Sequence, residues 1–213
     1  SADSTFWIDH DVSGVNVGEY YLEGHDPLHQ GLEIFFPQRK AYYEGVRKTQ
    51  SKPKLDLYLK RNGQKLEYKM KVASEVYSET TCAALITALG FSADITRYVR
   101  DFKVILGDVS FVEFTREWDA YYSDYDADLY IKEKGRDEEG NYIVFYEGVL
   151  EYKPSDLLRV GPWAYGGTGN AGLREVRGLL LFNMWVANLD LKESENNKLL
   201  VRKTSDPHQF FHI

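Results

Sequence analysis

The residues best able to do chemistry are concentrated near the end of the chain. Asp190 is followed two positions on by Lys192 and then by the pair Asn196-Asn197, after which Leu199-Leu200-Val201 reads as a short strand. A carboxylate, an ammonium group and an amide at a helix-to-strand junction suit phosphoryl transfer. The carboxylate orients an accepting hydroxyl, the lysine neutralises the moving phosphoryl group, and an amide oxygen holds Mg²⁺. The same residues also read as a polar loop with asparagines in turn positions, and a motif without its structural context leaves both readings open.

Several elements must position these groups. Leu173 to Asn188 predicts a long helix whose apolar residues go nearly all round, from Leu173 and Val176 through Leu179–Phe182 to Met184–Val186, as in a central, buried helix. Upstream, Leu55, Leu57 and Leu59 alternate with Asp56, Tyr58 and Lys60, and Leu66, Tyr68, Met70 and Val72 alternate with Glu67, Lys69 and Lys71. Asn62-Gly63 between the two runs predicts a hairpin, because both residues tolerate positive φ. Ser74 is a candidate N-cap for a helix over 74–89, with Gly90 as its left-handed stop and Phe91 as the apolar residue that follows it. A strand is expected near Phe102–Leu106. Ser110-Phe111-Val112-Glu113 has the form of a capping box and starts a second helix to about Tyr122. Residues 123–141 read as acidic or turn-like, and Tyr142 to Tyr152 as a strand interrupted at Gly148. Pro154 to Gly172 reads as a Gly- and Pro-rich loop, and Gln209 to Ile213 as a last strand. In this order Lys71 lies on the polar face of a strand and Glu79 in the second turn of the next helix, which can set a lysine and a glutamate across a cleft. A surface lysine beside a solvated helix face is the plainer alternative, with Lys69 and Glu75 as competing partners.

The segment around Asp190 resembles the catalytic loop of atypical protein-kinase-like enzymes, the branch that includes HipA-type and phosphoinositide kinases. It is also similar to uncharacterised bacterial kinase-like proteins with an Arg-rich helix before an Asp…Asn loop; here that helix carries Leu173-Arg174-Glu175-Val176-Arg177-Gly178. The block from Lys69 to Gly90 resembles their N-lobe strand and helix. The resemblance implies ATP and Mg²⁺ as cofactors and a protein or small molecule with a hydroxyl as acceptor. It implies Lys71 on the nucleotide phosphates, Glu79 holding Lys71, Asp190 as catalytic base, Lys192 near the transferred phosphate, and Asn197 or Asn196 on the metal. The asparagines stand six and seven positions after Asp190, where the usual catalytic loop has five. The second metal-binding Asp of such enzymes is expected after Phe210-Phe211-His212-Ile213, where the sequence ends. The implied fold class is α+β with a kinase-like two-lobed architecture: residues 1–153 form an antiparallel N-lobe sheet with one main helix, and residues 154–213 a partial helical C-lobe with helix 173–188 and loop 190–197.

Composition narrows the other options. The chain has 213 residues, 43% hydrophobic and 28% charged, which supports a buried core. With 26 Lys+Arg against 33 Asp+Glu the net charge is −7, a poor match to phosphate neutralisation along nucleic acid. The single cysteine, Cys82, excludes an intramolecular disulfide. The longest apolar stretch, Leu179 to Ala187, is broken by Asn183 and is too short for a membrane span. The chain opens on Ser1 rather than Met, and its compartment, extracytoplasmic or cytoplasmic, stays open.

Other motif matches fail on context. Gly167-Thr168-Gly169-Asn170-Ala171-Gly172 fits G-x-G-x-x-G but lacks an apolar strand before it. Asp124-Tyr125-Asp126-Ala127-Asp128 imitates a calcium loop, but Leu129 and Gly135 replace its required Gly and Glu. His25 and His29 flank Pro27, which opposes a helical metal pair. No G-x-S-x-G is present. The competing function is a noncatalytic module, either a kinase-fold relic or an extracytoplasmic interaction protein. A third reading is a carbohydrate or peptide binder lined by tyrosines, of which the chain has 16, including Tyr20-Tyr21, Tyr42-Tyr43 and Tyr121-Tyr122.

Overall fold

The computed structural model describes residues 3–5, 11, 13–17, 34–48, 52–74, 76–162, 172–186, 199–203 and 206–212. Its strands are β1 (Asp3–Thr5), β2 (Lys40–Val46), β3 (Lys54–Arg61), β4 (Gln64–Lys71), β5 (Thr96–Gly107), β6 (Ile131–Asp137), β7 (Gly140–Lys153), β8 (Leu157–Pro162), β9 (Leu199–Lys203) and β10 (Asp206–His212). The helices among the described residues are α1 (Val76–Ala88), α2 (Phe111–Tyr122) and α3 (Arg174–Trp185), with a 3-10 turn at Ala127–Leu129. The chain divides into two compact units, one of Phe35–Thr80 with Ile95–Lys153, the other of Ser1–Ile34, Thr81–Asp94 and Pro154–Ile213.

The first unit is a closed barrel. Its strands run in the order β4-β3-β2-β5-β7, and β7 pairs back onto β4, which closes the ring; β6 adds to the other part of β7. The β2–β5 pair is parallel and the rest antiparallel, so the sheet is mixed. This overturns the expected kinase-like two-lobed α+β architecture with its antiparallel N-lobe sheet. The physical reason lies in β7. Its 14 residues are long enough to serve three neighbours, and it runs straight through Gly148 instead of stopping there. A Cβ on Gly148 would come within 2.6 Å of Met70 Cε and 2.9 Å of the Lys71 carbonyl oxygen. The glycine therefore permits the close approach that seals β4 to β7, rather than ending a strand.

The local expectations hold where the signal is local. β3 and β4 form the hairpin, with Asn62 at φ 48° and Gly63 at φ 77°, both in the left-handed region that a two-residue turn requires. Leu55, Leu57, Tyr68 and Met70 are buried, as the alternation predicts. Ser110 and Glu113 complete the capping box of α2: the Ser110 hydroxyl accepts from the Glu113 N–H, and the Glu113 carboxylate accepts from the Ser110 N–H. Phe114, Trp118 and Tyr122 form the buried face of α2, and Tyr43 meets Phe114 edge-on at 5.6 Å. The region 123–141 is not all turn: its second half is β6, whose mostly exposed charged residues hide the strand period.

One irregularity lies in the barrel wall. Asp101 sits at φ 47°, inside β5, and breaks the two-residue alternation. Val99 and Phe102 are both buried although three residues apart, and in β7 residues 148–152 are buried on both faces. The β5–β7 register nevertheless continues past Asp101, and its shift comes later, between Ile105 and Gly107.

In the second unit, β1 pairs parallel with β10, and β10, β9 and β8 follow antiparallel. Here α1 ends as expected: Gly90 is at φ 93°, the Phe91 N–H donates to the Ile86 carbonyl, and Phe91 is buried. The helix expected to be central is only partly buried. Val176, Phe182 and Asn183 face inward, whereas Leu181, Met184 and Trp185 are exposed. The buried Asn183 amide donates to the Leu179 carbonyl one turn back.

Candidate functional site

Of the residues singled out for phosphoryl transfer, Asp190, Lys192, Asn196 and Asn197 lie outside the described residues, as do Glu75, His25, His29 and the glycine loop up to Ala171. Lys71 and Glu79 are described. They form an ion pair with Nζ and Oε1 2.5 Å apart, each side chain about a quarter exposed. Glu79 stands in the first turn of α1, because the helix starts at Val76. The structure also separates Lys71 from its competitor: the Lys69 ammonium lies 3.8 Å from the buried carboxylate of Glu151, which Lys153 shares. Lys54 is directly opposite Lys71 in the sheet register. Burial, then the neighbouring Lys71 and Lys69, push the Lys54 ammonium below its ordinary value. Lys71 and Glu79 are the two residues the resemblance assigned to nucleotide binding; the four assigned to catalysis and metal lie outside the described residues. Among the described residues no group of three or more His, Cys, Asp or Glu converges as a metal site.

The acidic loop of the calcium-like motif has structural partners. The Asp126 carboxylate accepts from the Asp128 N–H at 2.9 Å and starts the 3-10 turn, and Asp128 pairs with Lys134 at 2.5 Å.

A second arrangement was not foreseen from the sequence. Tyr77 of α1 and Tyr98 of β5 pack with ring centroids 4.8 Å apart and planes tilted by 32°. Both phenols donate to the same oxygen, Oε2 of Glu147, at 2.5 and 2.9 Å. The two phenol oxygens are also within hydrogen-bond distance of each other, 2.9 Å apart. Desolvation, then the hydrogen bonds with Tyr77 and Glu147, hold the Tyr98 phenol protonated well beyond its ordinary range. Glu147 borders a cleft of about 280 Å³ lined also by Lys52, Ala73, Ser74, Tyr125, Leu129, Tyr130 and Tyr146. Leu129 is 72% exposed and Tyr146 52%, so the cleft opens along an apolar rim. Its far wall is anchored from behind: Trp118 stacks on Tyr130 at 6.0 Å, and its indole N–H donates to the Tyr125 carbonyl at 2.5 Å.

The fold explains why these residues meet. Alternation along an unbroken β7 would leave Tyr146 and Glu147 on opposite faces of a flat sheet. Tyr98 is directly opposite Val149, two residues from Glu147, so Tyr98 and Glu147 are diagonal neighbours on one face, while Tyr146 is exposed. Of the tyrosine pairs noted in the sequence, Tyr42-Tyr43 and Tyr121-Tyr122 do not line the cleft. Tyr42 stacks on Tyr58 and donates to Glu139, Tyr43 donates to Glu117, and Tyr122 donates to the Arg47 carbonyl; Tyr20-Tyr21 lie outside the described residues. Tyr77, Tyr98, Tyr125, Tyr130 and Tyr146 share no spacing that marks them as a set. The adjacent Tyr146-Glu147 is the one sequence hint of an aromatic beside a carboxylate.

Compared with known proteins, the chain matches no family model, no curated protein and no solved structure.

Proposed function

We propose that the chain is a noncatalytic binding module that holds its ligand in the tyrosine-lined cleft on the outer wall of the barrel. The observation that carries this reading is the convergence of Tyr125, Tyr130, Tyr146 and Glu147 on one open cleft. Large side chains such as Phe102, Phe145, Tyr68 and Met70 occupy the barrel core, as in other small barrels, so recognition falls to the outer surface. Aromatic faces beside a few placed polar groups are the usual makeup of a recognition cleft. The test is a two-dimensional NMR titration of the full chain with a neutral oligosaccharide and with a mixed peptide pool. Resonances of Ser74, Tyr146 and Glu147 are expected to move with at least one of them, and Tyr146→Ala is expected to abolish the response. Saturable binding that moves only residues outside the cleft would refute the assignment.

A second reading, an ATP- and Mg²⁺-dependent phosphotransferase, is favoured by the Lys71–Glu79 pair and the cationic surroundings given by Lys54. ATP with Mg²⁺ would then raise the melting temperature of the wild type but not of Lys71→Met, and Asp190→Asn would lose any ATPase activity. Equal responses in all three proteins would sink it.

A further inference from the structure

The cleft's chemistry narrows its ligand, on the reading that the cleft is the binding site. Tyr77 and Tyr98 both donate to Oε2 of Glu147, which fixes the carboxylate in place. Oε1 receives no hydrogen bond from the described residues. An oriented carboxylate beside open tyrosine rings matches a planar cation. A guanidinium stacks on an aromatic face and forks a carboxylate, whereas an ammonium offers only a point charge.

The surrounding charges point the same way. Tyr125 stands between Asp124 and Asp126, both exposed, and Asp128 precedes the cleft residue Leu129. Asp128 is offset by Lys134, Lys52 is the one cation among the described lining residues, and Arg100 lies opposite Glu147 in the β5–β7 register. Glu147, Asp124 and Asp126 stand against Lys52 and Arg100. A volume of about 280 Å³ takes a side chain rather than a large cofactor. The exposed Leu129 and Tyr77 extend the apolar surface beyond it, which suits a ligand that continues past the cleft.

We infer that the cleft of Glu147, Tyr146, Tyr130 and Tyr125 captures an arginine side chain of an extended peptide, with the guanidinium against Glu147 and the rings. The substitution that isolates the charge is Glu147→Gln, whose amide oxygen still accepts from Tyr77 and Tyr98. Glu138→Gln, an exposed carboxylate away from the lining residues, controls for bulk charge.

The experiment uses a short fluorescent peptide carrying one arginine and its counterpart with citrulline, a neutral isostere. Anisotropy is read on the full chain, with NMR to locate the contact. The arginine peptide is expected to bind at least tenfold more tightly than the citrulline peptide and to move the Tyr146 and Glu147 resonances. Glu147→Gln is expected to remove that preference and Glu138→Gln to keep it. Equal weakening by both variants would mean general attraction to an acidic protein and would overturn the inference. Cleft shifts from a neutral oligosaccharide or the citrulline peptide, with no preference for arginine, would overturn it while leaving the binding-module reading intact. No cleft response to any probe would overturn both.

Discussion

Gly148 and Met70 lie so close across the β4–β7 seam that a Cβ on the glycine would stand 2.6 Å from Met70 Cε. The flexible Met70 tip can move, but the Lys71 carbonyl at 2.9 Å is backbone and cannot follow as easily. Gly148→Ala is therefore expected to destabilise the barrel by about 1–3 kcal/mol, the usual cost of overpacking. Urea denaturation measures this. A variant as stable as the wild type would mean that the seam is looser than described.

The capping box of α2 gives a prediction with a pH signature. Ser110→Ala is expected to cost about 1 kcal/mol. The Ser110 backbone N–H, then its hydroxyl, hold the Glu113 carboxyl below its ordinary value of 4.5. A carboxylate with a depressed pKa contributes stability above its unfolded pKa and loses it as pH falls through the folded value. The gap between wild type and Glu113→Gln should thus be present at neutral pH and shrink in acid. A gap that does not change between pH 7 and pH 2 would contradict the box.

Tyr98 supplies the alkaline counterpart. Its phenol is pushed above the ordinary 10.0 by desolvation, then by hydrogen bonds with Tyr77 and Glu147. A raised pKa contributes stability that is complete below the unfolded value and lost as pH rises through the folded one. In an NMR titration of ring-labelled tyrosine, the Tyr98 signal should stay phenolic after the exposed tyrosines have ionised. In Glu147→Gln its midpoint should move down towards 10 without reaching it, because desolvation remains. Titration of Tyr98 together with the exposed tyrosines would show that the phenol–carboxylate cluster does not persist in solution.

Trp118 couples the core to the cleft. It is fully buried between Phe114 and Tyr122, and its indole N–H holds the Tyr125 carbonyl. Trp118→Ala is expected to cost about 3–5 kcal/mol. Trp118→Phe keeps an aromatic ring but loses the hydrogen bond, about 1 kcal/mol, and leaves a smaller cavity than Ala would, so its cost falls between the two. Faster amide exchange confined to residues around Tyr125 in Trp118→Phe would confirm the anchoring role; a uniform change across the barrel would count against it.

Where a few neighbouring residues carry the physics, the sequence alone is sufficient. Asn62-Gly63 dictates the β3–β4 turn, Ser110 and Glu113 start α2, and Gly90 with Phe91 stops α1, because each depends on contacts within one turn of chain. Lys71 and Glu79 are only eight positions apart, but the sequence left Lys69 and Glu75 as alternatives, and the structure pairs Lys71 with Glu79 and sets Lys69 beside Glu151. The tertiary structure decided the rest. Closure of the barrel joins β4 to a strand some 80 residues away, and its local trace, Gly148, reads equally well as a strand break. The left-handed backbone of Asp101 lies within an irregular burial pattern in β5, so no regular hydrophobic period marks that strand. Glu147, Tyr77, Tyr98 and Tyr146 become a site only when α1, β5 and β7 are brought together, because burial and hydrogen bonding between distant segments follow from the closed wall and not from spacing along the chain.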